Sequence, residues 1–254
     1  AVMKRRRNEP SAEILCGMQP VLEQIRADPR RIRRILLARE GGSSAVVEAA
    51  RGAEIVVAFA PREELARRAA GVVHQGVIAE VEPFVYAGFD ELAARAPECL
   101  LAADQVTDPR NLGALVRSAE AAGVGGLILP KDRTATITPV VVKAAAGATS
   151  LLPNAQVSNL ARALEELKRQ GYWIVGLDAG GKEDLFTFAF PSRCVIVVGS
   201  EGKGLRPLTR SGCDHVVAVP MVGRVASLNV SVAAAVVLFE RLRQRHRIDS
   251  PSRR

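Results

Sequence analysis

Aromatic side chains are scarce in this chain: one Trp, two Tyr and seven Phe among 254 residues. Nearly half of the residues are hydrophobic, so the core is expected to be aliphatic, and at this length it fills one large domain or two small ones. The four cysteines, Cys16, Cys99, Cys194 and Cys213, include no CxxC pair. That argues against a zinc site and for reduced thiols in a cytoplasmic protein. Long hydrophobic runs are also missing; Val230–Phe239 falls well short of the roughly 20 residues that span a bilayer. Lys4-Arg5-Arg6-Arg7 runs into polar Asn8-Glu9-Pro10, so no secretory signal is expected. A nucleoside-triphosphate loop would need Gly at Val197 and Ser or Thr at Gly204. GxGxxG fails as well, because Gly202 and Gly204 run into Pro207, which disfavours a nucleotide-binding dehydrogenase. No internal repeat or low-complexity tract is evident.

What is present in excess is positive charge. The formal net charge is +8, and its basic clusters are Lys4–Arg7, Arg30-Arg31-Ile32-Arg33-Arg34 and the C-terminal tail. Such clusters attract a polyanion by releasing its counterions, although an arginine-rich soluble surface has the same composition.

Hydrophobic periodicity divides the chain into a basic tail (1–11), an α/β unit (12–82), a linker (83–98), a second α/β unit (99–247) and a tail (248–254). In the first unit, helical spacing over Gly17–Asp28, Ser43–Arg51 and Pro61–Ala70 alternates with strand-like runs at Ile35–Ala38, Glu54–Ala60 and Gly76–Val81. In the second, apolar strands are expected at Leu100–Ala103, Gly126–Leu129, Trp173–Leu177, Val195–Val198 and Val216–Val219. Helices between them are expected at Leu112–Ala122, Pro139–Ala146, Asn159–Gln170 and Leu205–Ser211, with a final one at Leu228–Arg247. Strands alternating with helices imply a largely parallel sheet covered on both faces, whose ligands bind beyond the strand C-termini.

Three segments there carry the chemistry. Asn111-Leu112-Gly113-Ala114-Leu115-Val116-Arg117-Ser118 opens a helix with a buried-looking arginine position. Gly199-Ser200-Glu201-Gly202-Lys203-Gly204-Leu205 follows a fully apolar strand, and its glycines let backbone approach a ligand closely. In Val219–Asn229 a strand runs through Pro220 and Gly223 into a helix opened by Ser227-Leu228-Asn229, where free N–H groups favour a polar ligand. Each has a plain structural reading: a tight turn for 199–204, N-caps for Asn111, Ser227 and Asn229, and a surface pair for Arg117 with Glu120. His74 reads as a turn residue, and His215 and His246 show no partner pattern.

Taken together, in this order and spacing, the three segments resemble the signature motifs of the SpoU family of RNA ribose methyltransferases, in the SPOUT superfamily. The resemblance covers roughly residues 14–245 and is nearest to the bacterial enzymes that methylate a guanosine 2′-oxygen of 23S rRNA. It is supported by Asp108-Pro109-Arg110-Asn111-Leu112-Gly113, Val157–Arg162 and Val72-Val73-His74-Gln75-Gly76-Val77. The resemblance implies a C-terminal α/β domain with a trefoil knot, an exception to the rule against knotted chains. It implies a smaller N-terminal α/β domain resembling ribosomal proteins that reads the substrate, and a homodimer packed through the knotted domain and final helix.

The resemblance further implies that S-adenosylmethionine lies in the knot against Gly199, Gly202, Val219, Met221 and Leu228, with no metal. Asn111, Arg117, Glu201, Ser227 and Asn229 fall at the reacting centre, and Arg30, Arg31, Arg33 and Arg34 are the expected RNA contacts. The expectation is a cytoplasmic enzyme acting on RNA, preferably 23S rRNA, and not on a membrane. The same chemistry on tRNA or another rRNA site, or a non-catalytic ribosome-assembly factor, are the alternatives.

Overall fold

The computed structural model describes residues 12–39 and 44–249; the basic tail expected at 1–11, residues 250–254 of the tail expected at 248–254, and Ser43 of the helix expected at Ser43–Arg51 lie outside them. The chain forms two compact units, residues 1–85 and 86–254.

In the first unit, β1 (Glu13–Cys16), α1 (Met18–Ala27), β2 (Ile32–Ala38), α2 (Ser44–Gly52), β3 (Val57–Ala60), α3 (Arg62–Ala69) and β4 (Val77–Val81) follow in order. The sheet order is β1-β4-β2-β3, with β4 antiparallel to β1 and β2, and β3 parallel to β2. One face of the sheet packs Ile35, Leu37, Val77 and Ala79 against Val21, Leu22 and Ile25 of α1 and Val46 and Ala50 of α2. The other packs Leu36 and Ile78 against Leu65 and Ala69 of α3. This two-sided covering follows from strands with inward residues on both faces.

The second unit contains α4 (Phe89–Ala94), β5 (Cys99–Ala103), α5 (Pro109–Ala121), β6 (Leu127–Pro130), α6 (Pro139–Ala144), β7 (Asn154–Val157), α7 (Leu160–Arg169) and β8 (Trp173–Leu177). It continues with β9 (Glu183–Asp184), β10 (Cys194–Val198), α8 (Pro207–Ser211), β11 (His215–Ala218) and α9 (Val230–Asp249). Its seven strands run in the order β7-β6-β5-β10-β8-β11-β9, every pair parallel. β5 and β10 are buried along their whole length, as expected of a parallel sheet covered on both faces. Helix α7 shows the local logic: Asn159 caps it by accepting from the Arg162 N–H at 3.1 Å. Its Leu160, Ala163, Leu164 and Leu167 then form one apolar stripe that is buried.

Several sequence boundaries are corrected. The stretch read as a linker with a short helix at Asp90–Arg95 does hold that helix, α4, but its Leu92 and Ala93 are buried in the core of the second unit with Leu100 and Ile128. Helix α5 starts three residues before the expected Leu112, because Asp108 is its N-cap, accepting from the Arg110 N–H at 3.0 Å, and Pro109 takes the first turn. No described helix is long and apolar enough to cross a membrane.

Candidate active site

β10 lies between β5 and β8, and the loop that leaves its C-terminal end folds back sharply. Ser200 and Gly204 exchange both backbone hydrogen bonds at 3.0 Å. Gly204 takes φ +66°, and a Cβ there would press on the Asp178 carboxylate. At Gly199 a Cβ would overlap the backbone of Gly204. Only glycine fits these two positions, so the tight loop is built into the sequence.

The loop forms one wall of an open cavity of about 210 Å³. The opposite wall is Val219, Met221, Ala226, Ser227, Leu228, Val230 and Ala233, and the floor is Leu177, Asp178, Ala179 and Val198. All five residues expected to hold the methyl donor, Gly199, Gly202, Val219, Met221 and Leu228, line it, as do Glu201 and Ser227. Of the other lining residues, Leu177, Asp178, Ala179 and Val198 lie outside the segments singled out in the sequence. Asp178 had a usable signal: an acidic residue one step past a buried parallel strand, where such sheets bind ligands.

At the loop's rim three distant segments meet. The Asn229 carboxamide nitrogen donates to Asn111 Oδ1 at 3.0 Å and to Glu201 Oε1 at 2.5 Å. Its oxygen accepts from the N–H and the hydroxyl of Ser231, at 2.9 and 2.6 Å. Asn229 thus caps α9, and the helix begins at Val230 rather than at the expected Leu228. Asn111 is not a cap; it is a buried residue in the first turn of α5. Arg117, at a position that looked buried in the motif but lay on the polar side of the helical stripe, is exposed on α5. Neither the anticipated pair with Glu120 nor any other ion pair engages it among the described residues.

Other groups resolve as structural. His74 is buried, its Nδ1 accepting from the Gly76 N–H at 3.1 Å. His215, for which no partner was foreseen, lies 3.0 Å from Glu183 Oε1. Asp178 loses charge stability to burial, but the N–H groups of Gly180 and Leu205 and the Arg210 guanidinium outweigh this and hold its carboxyl below the usual range.

In the first unit the arginine cluster is largely engaged. Arg31 donates to the Glu82 carbonyl from Nε and Nη2 at 3.1 and 2.6 Å and stacks over Phe84. Arg33 pairs with the Glu82 carboxylate and Arg34 with Glu80, both in two-point geometry. Hydrogen bonds from Arg34 hold the Glu80 carboxyl below its ordinary range, and those from Arg33 do the same for Glu82. Arg30 projects into solvent, 3.8 Å from Asp28 at its nearest.

Residues 98–239 match the model of the SpoU rRNA Methylase family, and residues 14–87 that described as RNA 2′-O ribose methyltransferase substrate binding. The chain belongs to the SpoU rRNA methylase family. Among its relatives is the 23S rRNA (guanosine-2′-O-)-methyltransferase RlmB of Pseudomonas syringae pv. tomato, 44% identical over 92% of this chain and 96% of that protein. RlmB of Pseudomonas putida is also 44% identical, over 92% of this chain and 97% of that one. Of solved structures, the SpoU methyltransferase AviRb from Streptomyces viridochromogenes in complex with AdoMet superposes with a TM-score of 0.64. It is 26% identical and covers 93% of this chain and 92% of its own. For a SpoU methylase, the glycine loop, the cavity and the Asn229 junction are therefore the features to explain.

Proposed function

We propose that this protein transfers a methyl group from S-adenosylmethionine to a ribose 2′-oxygen in RNA, and that its substrate is a guanosine of 23S rRNA. The observation that carries the reading is the junction of Asn111, Glu201 and Asn229 at the mouth of the cavity. RlmB relatives at 44% identity support the choice of rRNA guanosine.

The cavity suits such a donor. Backbone of the glycine loop and apolar Leu177, Val219 and Leu228 offer a slot for a nucleoside, while Glu201 on the same lining supplies a carboxylate that favours a cation. The bound donor supplies a methyl on positively charged sulfur, which leaves as a neutral thioether when a 2′-oxygen attacks in line. The chain must supply alignment and help a weakly acidic hydroxyl lose its proton. A guanidinium offers N–H donors and no acceptor, so the role of Arg117 is to grip a phosphate beside the target and to stabilise negative charge building on the 2′-oxygen. Its exposure, and the lack of an ion pair among the described residues, leave the guanidinium fork available for that contact. Asn111, Ser227 and Asn229 orient the nucleotide, and Glu201, held through Oε1 by Asn229, positions the ribose.

RNA is further gripped by the Arg30–Arg34 segment. Arg30 contributes most, because Arg33 and Arg34 must first give up Glu82 and Glu80. Two copies pair through α9, where Val232 and Phe239 are about half exposed on one face with Val236 between them; the last segment threads a trefoil knot. An rRNA substrate puts the enzyme in the cytoplasm.

The test is transfer of labelled methyl from S-adenosylmethionine into 23S rRNA, 16S rRNA and tRNA from cells lacking the enzyme, with Arg117→Ala as control. Label confined to 23S rRNA, at one site resistant to alkaline cleavage, is the expected result. Label in tRNA would overturn the substrate, and absence of label from every fraction would overturn the activity.

A further inference from the structure

β10 ends at Val198, and its two neighbours in the sheet, β5 and β8, end at Ala103 and Leu177. In both neighbours the next residue is a carboxylate. Asp104 is fully buried, and its N–H donates to the Val198 carbonyl at 2.7 Å, extending the ladder to the point where the glycine loop departs. Asp104 Oδ1 accepts from Arg206 Nε at 2.6 Å, and Oδ2 from the Arg206 backbone N–H at 3.2 Å. From the other flank, Asp178 Oδ2 accepts from the Leu205 N–H at 3.2 Å. Its Oδ1 accepts from Gly180 at 2.9 Å and pairs with Arg210 at 2.6 Å.

Two carboxylates from two strands therefore hold consecutive backbone amides, 205 and 206, where the loop returns to the body of the domain. Its other end is fixed by the strand itself and by the Ser200–Gly204 bridge. Buried carboxylates are costly unless hydrogen-bonded and paired, and a turn alone does not require one on each side. What the pair achieves is a short span, residues 200–204, between two fixed ends, with Glu201 and Gly202 on it.

We propose that Asp104 and Asp178 are positioning residues of the methyl-donor site, a pair of tethers that fix the glycine loop in its ligand-ready shape before the donor arrives. This rests on the reading of the cavity given above. If the tethers act in this way, loosening one makes the donor order the loop on binding, so affinity falls. The occupied site is unchanged, so turnover at saturation is kept. A merely structural role has the opposite signature: less folded enzyme, lower kcat and an unchanged KM.

The experiment compares wild type with Asp104→Asn and Arg206→Ala. It measures S-adenosylmethionine binding by calorimetry, KM and kcat on RNA, and hydrogen exchange of amides 200–206 without ligand. The expected result is a rise of about tenfold in Kd and KM for the donor, kcat within about twofold, and faster exchange confined to the loop. Should Asp104→Asn fold poorly, Arg206→Ala, altered at a side chain that is partly exposed, still decides. Wild-type affinity and exchange in both variants, or reduced kcat with unchanged KM, would overturn the tether proposal alone. A wild-type protein that binds no S-adenosylmethionine would overturn the functional reading and the tethers with it.

Discussion

The carboxamide of Asn229 has two hydrogens and one oxygen, and all are committed: the hydrogens to Asn111 and Glu201, the oxygen to Ser231 twice over. An amide satisfied on both ends cannot flip without losing partners, so one residue fixes the start of α9 and the orientation of two site residues. The two duties separate on substitution. Asn229→Asp keeps an effective N-cap, so the melting temperature should stay within about 3 °C of wild type. It also turns a donor into an acceptor facing Glu201, and kcat should fall by about 100-fold or more. Arg117 offers the complementary case. Exposed, and without an ion pair among the described residues, it is not part of the packing, so Arg117→Ala should abolish methyl transfer with unchanged thermal unfolding and unchanged donor binding. Arg117→Lys, which retains the charge but not the planar fork, should lose roughly tenfold or more in turnover; near-full activity would show that charge alone suffices.

Among the elements, β2 and β4 of the first unit are tied across one face by Arg34–Glu80, with Arg68 joining Glu80 from α3. The Glu80 carboxyl is held low by the hydrogen bonds of Arg34, so the sign of its pH dependence follows. Its contribution is fully present above the ordinary glutamate value of about 4.3 and is lost as pH falls through the depressed value. On the order of 1 kcal/mol is at stake. Thermal unfolding followed from pH 6 to pH 3 should show Glu80→Gln less stable than wild type at pH 6 and the gap closing in acid.

Most elements were legible in the sequence because their apolar residues repeat with period two or 3.6. Those that were not are short and polar. β7 reads Asn154-Ala155-Gln156-Val157 behind Pro153, and β9 is Glu183-Asp184; both are strands only because a neighbour offers them a ladder. β1, four residues ahead of Gly17, is likewise too short to show a period. In the site, the glycine loop was visible because its constraints are local, written in Gly199 and Gly204. Asp104 and Asp178 were not, since a lone carboxylate acquires meaning only from residues 205 and 206, which the fold brings to it. Arg117 was legible as a surface residue, because Leu112, Leu115, Val116 and Ala119 form the apolar stripe of its helix and leave it on the polar side.

At the scale of the whole molecule, the excess of positive charge and the half-exposed α9 face make separate predictions. Phe239→Arg, placing charge on the proposed pairing face, should shift the protein to monomer in sedimentation and strongly reduce methyl transfer; an intact dimer would move the interface elsewhere. Arg30→Ala should flatten the dependence of RNA affinity on salt by close to one unit of slope, since each phosphate neutralised contributes about that much. Arg33→Ala and Arg34→Ala should flatten it less, because their carboxylate partners are already in place.

One consequence of the strand order concerns how the protein is made. β10 sits between β5 and β8 although it follows both in the chain. As the polypeptide leaves the ribosome, β5 and β8 cannot pair with each other without excluding the strand that belongs between them. The edge of β5 must wait while residues 104–193 and then β10 itself emerge, several seconds at about 5–20 residues per second, and that of β8 while residues 178–193 do. Open edges of apolar strands are sites of mispairing, so the nascent chain passes through its most aggregation-prone stage just before the central strand is inserted. The cavity proposed for the donor is lined by residues before, on and after that strand, the last of them from Val219 to Ala233, so it is completed only once the segment after β11 has also emerged, and acquisition of donor binding is the expected clock for the last step of folding.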